Sequence, residues 1–268
     1  MIIGSFNVRV PVDPPPNDWE NRKILVYRDL DILQYDIFGV QEAVPMQIAD
    51  LEKAGYRHLG HGREQDLSGE GTPVFYRARR FEPLENKTIW LSETPNLFST
   101  DYGTSFPRIA TMARFRDHRT NRELVFANVH LDHRQNNEEC REKQIAVLLR
   151  ELKTCLKMGL PVILTGDFNA APDEPAYALT AKLFCDSFRI SKTPPVRPEK
   201  KTFHGFLKAK KDQLSDRPID YIFVSRGITV LTCESFDNFK DDLPSSDHYP
   251  QKAVIRLPDK TGEAEKNE

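Results

Sequence analysis

The chain has 268 residues, 39% of them hydrophobic and 29% charged, the balance of a globular protein with a core of its own. Its 38 basic and 40 acidic residues give a net charge of −2, whereas a protein that coats nucleic acid needs a clear basic excess. Broad duplex binding is therefore disfavoured, a small phosphorylated substrate or one nucleic-acid end stays compatible, and no apolar run is long enough to span a membrane.

Taken in order, the chain first offers a strand at Ile2–Val8, followed by a proline-rich loop at Val10–Asn17. Arg22–Gln34 has helical periodicity, with Leu25, Ile32 and Leu33 on one side. A second strand at Asp36–Gln41 leads to a stretch with glycines 60, 62, 69 and 71, read as a mobile loop without a phosphate-cradling motif. Val74–Tyr76 is strand-like, and Trp90–Pro95 reads as a turn pinned by its tryptophan. Ile109–Phe115 and Glu123–Leu131 are strands separated by only a short turn.

The clearest helix runs from Glu138 to Lys157, where Ile145, Leu148, Leu149, Leu152 and Leu156 make an amphipathic stripe. Asn137 is placed to cap it, and Gly159 with Pro161 ends it. Further strands are expected at Val162–Thr165, Ile219–Val224, Ile228–Cys233 and Ala253–Leu257, with a loop at Ser191–Lys201. Strands that follow one another directly, mixed with strands separated by a helix, imply mixed sheets with helices packed outside. One domain over residues 1–258 and a polar tail over 259–268 account for the pattern.

The chain opens Met1-Ile2-Ile3-Gly4 without a basic leader and apolar stretch, so a cytoplasmic protein is expected. Cys140, Cys155, Cys185 and Cys233 are scattered, which fits reduced thiols rather than disulfides or a thiolate zinc site. His130 and His133 stand three apart on an extended segment and face different ways, which argues against a shared zinc ion. The basic residues from Arg197 to Lys211, interleaved with Phe203 and Phe206, read as a solvated loop flanking a buried aromatic pair.

Polar residues interrupt the ends of the apolar strands. They are Asn7, Glu42, His130, Asp167 with Asn169, Asp220, and Asp247-His248. One such residue is ordinarily a turn or a cap, but strand ends converge on one rim of a sheet, and this set is almost all Asp, Glu, Asn and His. Carboxylates and an amide are hard oxygen donors for Mg²⁺ or Mn²⁺, and histidines donate protons or hold anionic oxygens. The inventory suits metal-assisted hydrolysis of a phosphate ester.

Six motifs in order, Ser5-Phe6-Asn7, Val40-Gln41-Glu42, Asn128-Val129-His130-Leu131, Thr165-Gly166-Asp167-Phe168-Asn169, Ile219-Asp220-Tyr221-Ile222-Phe223 and Ser246-Asp247-His248-Tyr249-Pro250, span nearly the whole chain. In them the sequence resembles the endonuclease/exonuclease/phosphatase superfamily, the deoxyribonuclease I-like proteins. Trp19–Lys23, Thr72–Tyr76, Trp90–Pro95, Pro107–Thr111, His130–His133 and Thr202–Phe206 resemble in particular mostly bacterial members of unassigned substrate.

The resemblance implies an α/β fold, a four-layered sandwich of two mixed β-sheets flanked by α-helices. It implies Glu42 as principal metal ligand, with Asn7 beside it and Asp247 completing the site. Asp167 would take the proton of the attacking water, Asn169 would place that water, Asp220 would orient His248, and His248 with His130 would stabilise phosphate oxygens. Arg9 stands where the AP-endonuclease branch has an acidic residue, so abasic-site repair is not expected. Arg9 and Arg108 are candidate contacts to the substrate phosphate. The expected partner is a phosphorylated small molecule or nucleic acid, with no protein partner evident. A diester is favoured over the monoester of a sugar or inositol phosphate, and a catalytically inactive binding module is the non-enzymatic alternative.

Overall fold

The computed structural model describes residues 1–198, 200–207 and 217–258; the polar tail at 259–268 and the basic Lys208, Lys210 and Lys211 lie outside them. In chain order come β1 (Ile2–Asn7), α1 (Trp19–Leu33), β2 (Ile37–Gln41), α2 (Pro45–Lys53), β3 (Arg57–Leu59) and β4 (Val74–Tyr76). Next are β5 (Phe81–Trp90), β6 (Ile109–Asp117), β7 (Arg122–His130), α3 (Glu138–Lys157) and β8 (Val162–Asp167). The chain continues with α4 (Pro175–Ala181), β9 (Phe184–Asp186), α5 (Ser187–Ile190) and β10 (Asp220–Ser225). β11 (Thr229–Ser235), β12 (Phe239–Lys240), β13 (Leu243–Pro244) and β14 (Gln251–Arg256) complete it.

Two six-stranded sheets form, ordered β11-β14-β1-β2-β4-β3 and β5-β6-β7-β8-β10-β9, with β12 and β13 as a separate pair. Each sheet is mixed. β1–β2 and β7–β8 are parallel and every other pairing is antiparallel. The strands of each parallel pair are joined through a helix, α1 for β1–β2 and α3 for β7–β8, because parallel neighbours need a crossover connection. This is the four-layered sandwich expected from the resemblance.

Period-two alternation sorts the strand residues into layers. In β7, Leu124 and Phe126 pack between the sheets, whereas Val125, Ala127 and Val129 pack outward under α3. β10 repeats this with Ile222 and Val224 inward and Tyr221 and Phe223 outward. α3 contributes Ile145, Leu148, Leu149 and Leu152 to the outer core, while Leu156 is half-buried. Asn137 is the N-cap by position but makes no side-chain cap; its amide donates to Asp132 instead.

α1 departs from the expected stripe. It begins at Trp19, and its buried face is Trp19, Arg22, Val26, Asp29, Leu30 and Leu33, with Ile32 exposed. The charged Arg22 belongs to that face because its guanidinium donates to four backbone carbonyls, those of Val8, Arg9, Asn17 and Ser245. Burial of a cation is tolerable only with such pairing. The result ties the loop after β1 to the loop before β14.

The glycine-bearing loop is likewise built rather than loose. Gly62 N–H donates to Leu67, Arg63 N–H to Glu70, and Gly71 bridges both Ala43 and Gly62. A Cβ on Gly62 would lie 2.0 Å from the Ser68 carbonyl oxygen, so a side chain there would force the loop open. Trp90 pins it from beneath, its indole N–H donating to Arg63 O at 2.9 Å. The four cysteines are unpaired, and no helix among the described residues is long and apolar enough to cross a membrane.

The segment after the expected Ser191–Lys201 loop is also not simply solvated. Lys201 is buried, and the two phenylalanines do not pair. Phe203 packs on the His248 ring at 4.9 Å and Phe206 against the Arg22 guanidinium at 5.6 Å. His204 is fully buried between Phe239 and Tyr249, at 4.8 and 4.5 Å, with neither ring nitrogen well partnered. Burial, aided by the charge of His248, lowers its pKa from 6.5 to about 3.

The unfolded chain therefore binds a proton at this residue that the folded chain refuses. The resulting stability is present above pH 6.5 and is lost as pH falls towards 3. His204→Phe is expected to flatten the dependence of unfolding free energy on pH in that window by up to one proton, about 1.4 kcal/mol per pH unit. Denaturant titrations at several pH values measure the slope; equal slopes in both proteins would reject the assignment.

Candidate active site

Strand register assembles the site. Across three neighbouring strands, His130 of β7 lies level with Asp167 of β8, and Asp167 lies level with Asp220 of β10. In the other sheet Asn7 of β1 pairs with Gln41 of β2, so Glu42 projects from the next position, and Asp247-His248 arrives just before β14. Each sheet thus supplies part of a single cleft of about 330 Å³, whose lining includes Arg9, Glu42, Arg63, Arg108, His130, His133, Asp167, Asn169, Asp247 and His248.

The sheets are stitched together directly below this cleft. Asn128 donates across the gap to Val40 O and Pro73 O, and its carbonyl oxygen accepts from Gln41 Nε2 at 2.6 Å and from Thr165 Oγ1 at 3.2 Å. Gly39 is required opposite it, since a Cβ there would come within 2.3 Å of Asn128 Oδ1. The motif residue Asn128 is therefore a structural staple, a role that its place in the sequence did not reveal.

Within the cleft, Asn7 Nδ2 donates to Glu42 Oε1 at 3.0 Å and to Asp167 Oδ2 at 3.1 Å. Glu42 Oε2 accepts the Val10 N–H at 2.9 Å. The Nε2 atoms of His130 and His248 stand 3.6 and 3.7 Å from Asp167 Oδ2, and His248 Nδ1 is 2.8 Å from Asp220 Oδ2. Asn169 is fixed through its N–H to Asp167 Oδ1 at 2.9 Å and its amide to Leu131 O at 3.2 Å. All the carboxylates and imidazoles singled out in the sequence converge; Asp220 sits behind His248 rather than on the cleft wall.

The backbone is strained at this point. Arg9 and Glu42 have φ of 58° and 64°, the left-handed region that side chains other than Asn and Asp avoid, while Asn169, at 47°, is of the type that tolerates it. Such strain persists where surrounding contacts over-determine it, often at functional positions.

The electrostatics follow from crowding acids in a buried place. Burial raises the pKa of Asp167 and of Asp247, with Asp220 adding to the rise at Asp167 and Glu42 contributing at both. Burial would also raise Glu42, but the hydrogen bonds from Val10 and Asn7 outweigh it and hold Glu42 low. For His248, burial works against charge, yet the charge and hydrogen bond of Asp220, with Asp167 behind, lift its pKa to about 10. His130 is held neutral, first by burial and then by the positive charge of Arg108.

These groups fit a divalent cation. Atoms of Glu42, Asp167 and His248 lie within 4.8 Å of one another; the protonated His248 has no free lone pair, so the two carboxylates are the donors, and a cation would relieve their mutual repulsion. Asp247 lies outside that trio; its Oδ2 is 3.8 Å from Arg9 Nε. Asn7 presents its amide nitrogen to the carboxylates, and ligation through oxygen requires the amide to rotate by half a turn.

The two arginines differ. Arg9 is engaged with Asp13 through both Nε and Nη2, and leans towards Glu42 and Asp247 at 3.9 and 3.8 Å. Arg108 is buried, lines the cleft and donates to His133 Nδ1 at 2.7 Å. Arg63 and Glu70 also line it, which the sequence reading left unassigned because they lay inside what read as an ordinary glycine loop. Thr202 was missed as well. Its Oγ1 accepts the N–H groups of Ile219 and Asp220 at 2.9 and 3.0 Å and so fixes the start of β10.

A two-sheet sandwich with acidic and imidazole groups gathered on one shared rim is the arrangement expected of the endonuclease/exonuclease/phosphatase family. The chain belongs to the endonuclease/exonuclease/phosphatase family, whose model matches residues 4–248. Among solved structures it is similar to a mannosyl-6-phosphatase of Bacteroides thetaiotaomicron VPI-5482, at 28% identity and a TM-score of 0.86 over 96% of this chain and 100% of that one. A functionally unknown conserved protein from Enterococcus faecalis V583 is 30% identical at the same TM-score of 0.86, over 96% and 100% of the two chains. The Arabidopsis thaliana carbon catabolite repressor protein 4 homolog 3 is 28% identical over 176 residues, 63% of this chain, which spans only 37% of that relative's length.

Proposed function

We propose that the protein is a Mg²⁺- or Mn²⁺-dependent phosphoesterase that cleaves a phosphate ester by in-line attack of water. The observation that carries this reading is His130 and Asp167, level on neighbouring strands, meeting Glu42 and His248 of the other sheet at one cleft, with Asp220 level with Asp167 and behind His248. Asp167, raised by burial yet hydrogen-bonded by Asn169 and Asn7, is suited to receive the proton of the attacking water. The water oxygen bonds to phosphorus, the ester P–O bond breaks, and the leaving oxygen is protonated from solvent. His248, protonated and held by Asp220, and neutral His130 donate to the phosphate oxygens, where charge develops. Glu42, with Asn7 and Asp247 beside it, would hold the cation, which when bound supplies further neutralisation of that charge. Arg9 balances the carboxylates from the open side.

The sequence favours a diester. Similarity over the whole chain to a protein described as a mannosyl-6-phosphatase, together with a cleft of about 330 Å³, favours the monoester of a small molecule such as a sugar phosphate, and that form we propose. The test is a screen of mono- and diesters, phosphosugars, RNA and DNA with Mg²⁺, Mn²⁺ or EDTA. Release of phosphate from a phosphosugar, dependent on metal, is expected. No hydrolysis of any ester with either metal would leave the binding-module reading instead.

A further inference from the structure

The cations that line the cleft are not equally compensated. Arg9 is paired with Asp13 at 2.9 Å, and Arg63 with Glu70 at 2.9 Å and Glu64 at 3.4 Å. Arg108 has no carboxylate within ion-pairing distance among the described residues, although it is only 5% exposed. Its Nε has no hydrogen-bond partner, and its Nη2 donates to the lone pair of His133 Nδ1 at 2.7 Å. A buried guanidinium with no carboxylate in direct contact is costly: burial and the charge of Arg63 disfavour it, and the more distant Glu70, Asp132 and Asp167 offset this only in part. Such a group is explained if an anion completes it.

The fold also fixes where that anion must sit. The β6–β7 ladder pairs Ala110 with Val129, so Ile109 faces His130 and Arg108 lies one residue further out on the same rim. Arg108 and His130 together line the main cleft and a second, small recess that Arg63 and Glu70 also line. The unpaired cation therefore stands beside the phosphate-holding imidazole and not at a remote part of the substrate.

A phosphodiester carries one negative charge, whereas a phosphomonoester carries nearly two at neutral pH. We propose that Arg108, propped by His133, binds the additional charge of a terminal phosphate and makes the site select phosphomonoesters over phosphodiesters. The inference rests on the phosphoesterase reading above. A planar guanidinium bonds two oxygens of a terminal phosphate at once, which a lysine at this position would not do.

The test compares kcat/KM for p-nitrophenyl phosphate and bis-p-nitrophenyl phosphate with Mg²⁺ or Mn²⁺ in wild type, Arg108→Gln and Arg108→Lys. The wild type is expected to prefer the monoester. Arg108→Gln should reduce the monoester-to-diester ratio by at least about 30-fold, and Arg108→Lys by less. Calorimetric titration with inorganic phosphate, which needs no turnover, should show binding weakened at least about tenfold in Arg108→Gln. An unchanged ratio in a variant that melts like the wild type overturns the proposal. If Arg108→Gln fails to fold, Arg108→Lys decides, and equal losses on both esters reject it. A wild type that hydrolyses neither ester sinks the phosphoesterase reading. The phosphate titration then judges Arg108 alone, and equal affinity in wild type and variant removes that assignment too.

Discussion

Glu42→Gln is expected to lower kcat/KM by two or more decades, about 3 kcal/mol or more at the transition state, and to raise the metal concentration needed for half-activity. The substitution preserves volume and the left-handed backbone but removes the charge on the carboxylate whose pKa the structure holds low. Glu42 accepts from two donors, Asn7 Nδ2 and Val10 N–H, and a glutamine turns its own donor towards one of them. Part of the effect is therefore misplacement of Asn7. Thermal melting separates loss of fold from loss of chemistry. Full activity in the variant, or wild-type activity that survives excess EDTA, would remove Glu42 from the metal site.

The second large effect concerns Asp220 and His248 as a unit. Asp220 is buried, and its Oδ2 lies 2.8 Å from His248 Nδ1. Single substitutions to Ala should each cost two decades or more, and the double variant should be scarcely worse than the worse single one. Asp220→Asn adds a readout that a structural role would not move. Without the carboxylate, His248 loses the partner that lifts its pKa to about 10, so the alkaline limb of the pH–rate profile should move to lower pH. Additive losses with a shifted metal requirement would place Asp220 on the metal instead.

The site was legible in the sequence to the degree that its chemistry sits at strand ends. Asn7, Glu42, His130 and Asp167 each close an apolar run that only a buried strand explains, whereas His248 stands just ahead of one, and the structure brings them together. The between-sheet residues were harder to read, because Asn128 and Thr165 occupy strand positions where burial alone predicts an apolar residue. Their meaning depends on a partner in the other sheet.

Strand β5 escaped for the opposite reason. It is an edge strand with Glu82, Glu85, Asn86 and Lys87 turned to solvent and a bulge between Pro83 and Glu85, so it has little apolar alternation to reveal it. α2 was missed because it has only nine residues and starts on Pro45. The stripe of α1 was misplaced because Arg22 and Asp29 are buried, and a hydrophobicity pattern cannot anticipate a cation that is satisfied by four carbonyls.

The placement of β14 between β1 and β11 bears on how the molecule comes into being. β1 is made first, yet one of its two neighbours in the sheet is β14, with Ile2 opposite Val254. At about 5–20 residues per second of synthesis, the first strand waits tens of seconds for that neighbour. Asp247 and His248 emerge only just ahead of β14, so every shorter nascent chain lacks that pair of the rim. An unfinished copy has Asp220 without its imidazole partner, and the candidate site closes as one of the last events of the protein's own birth.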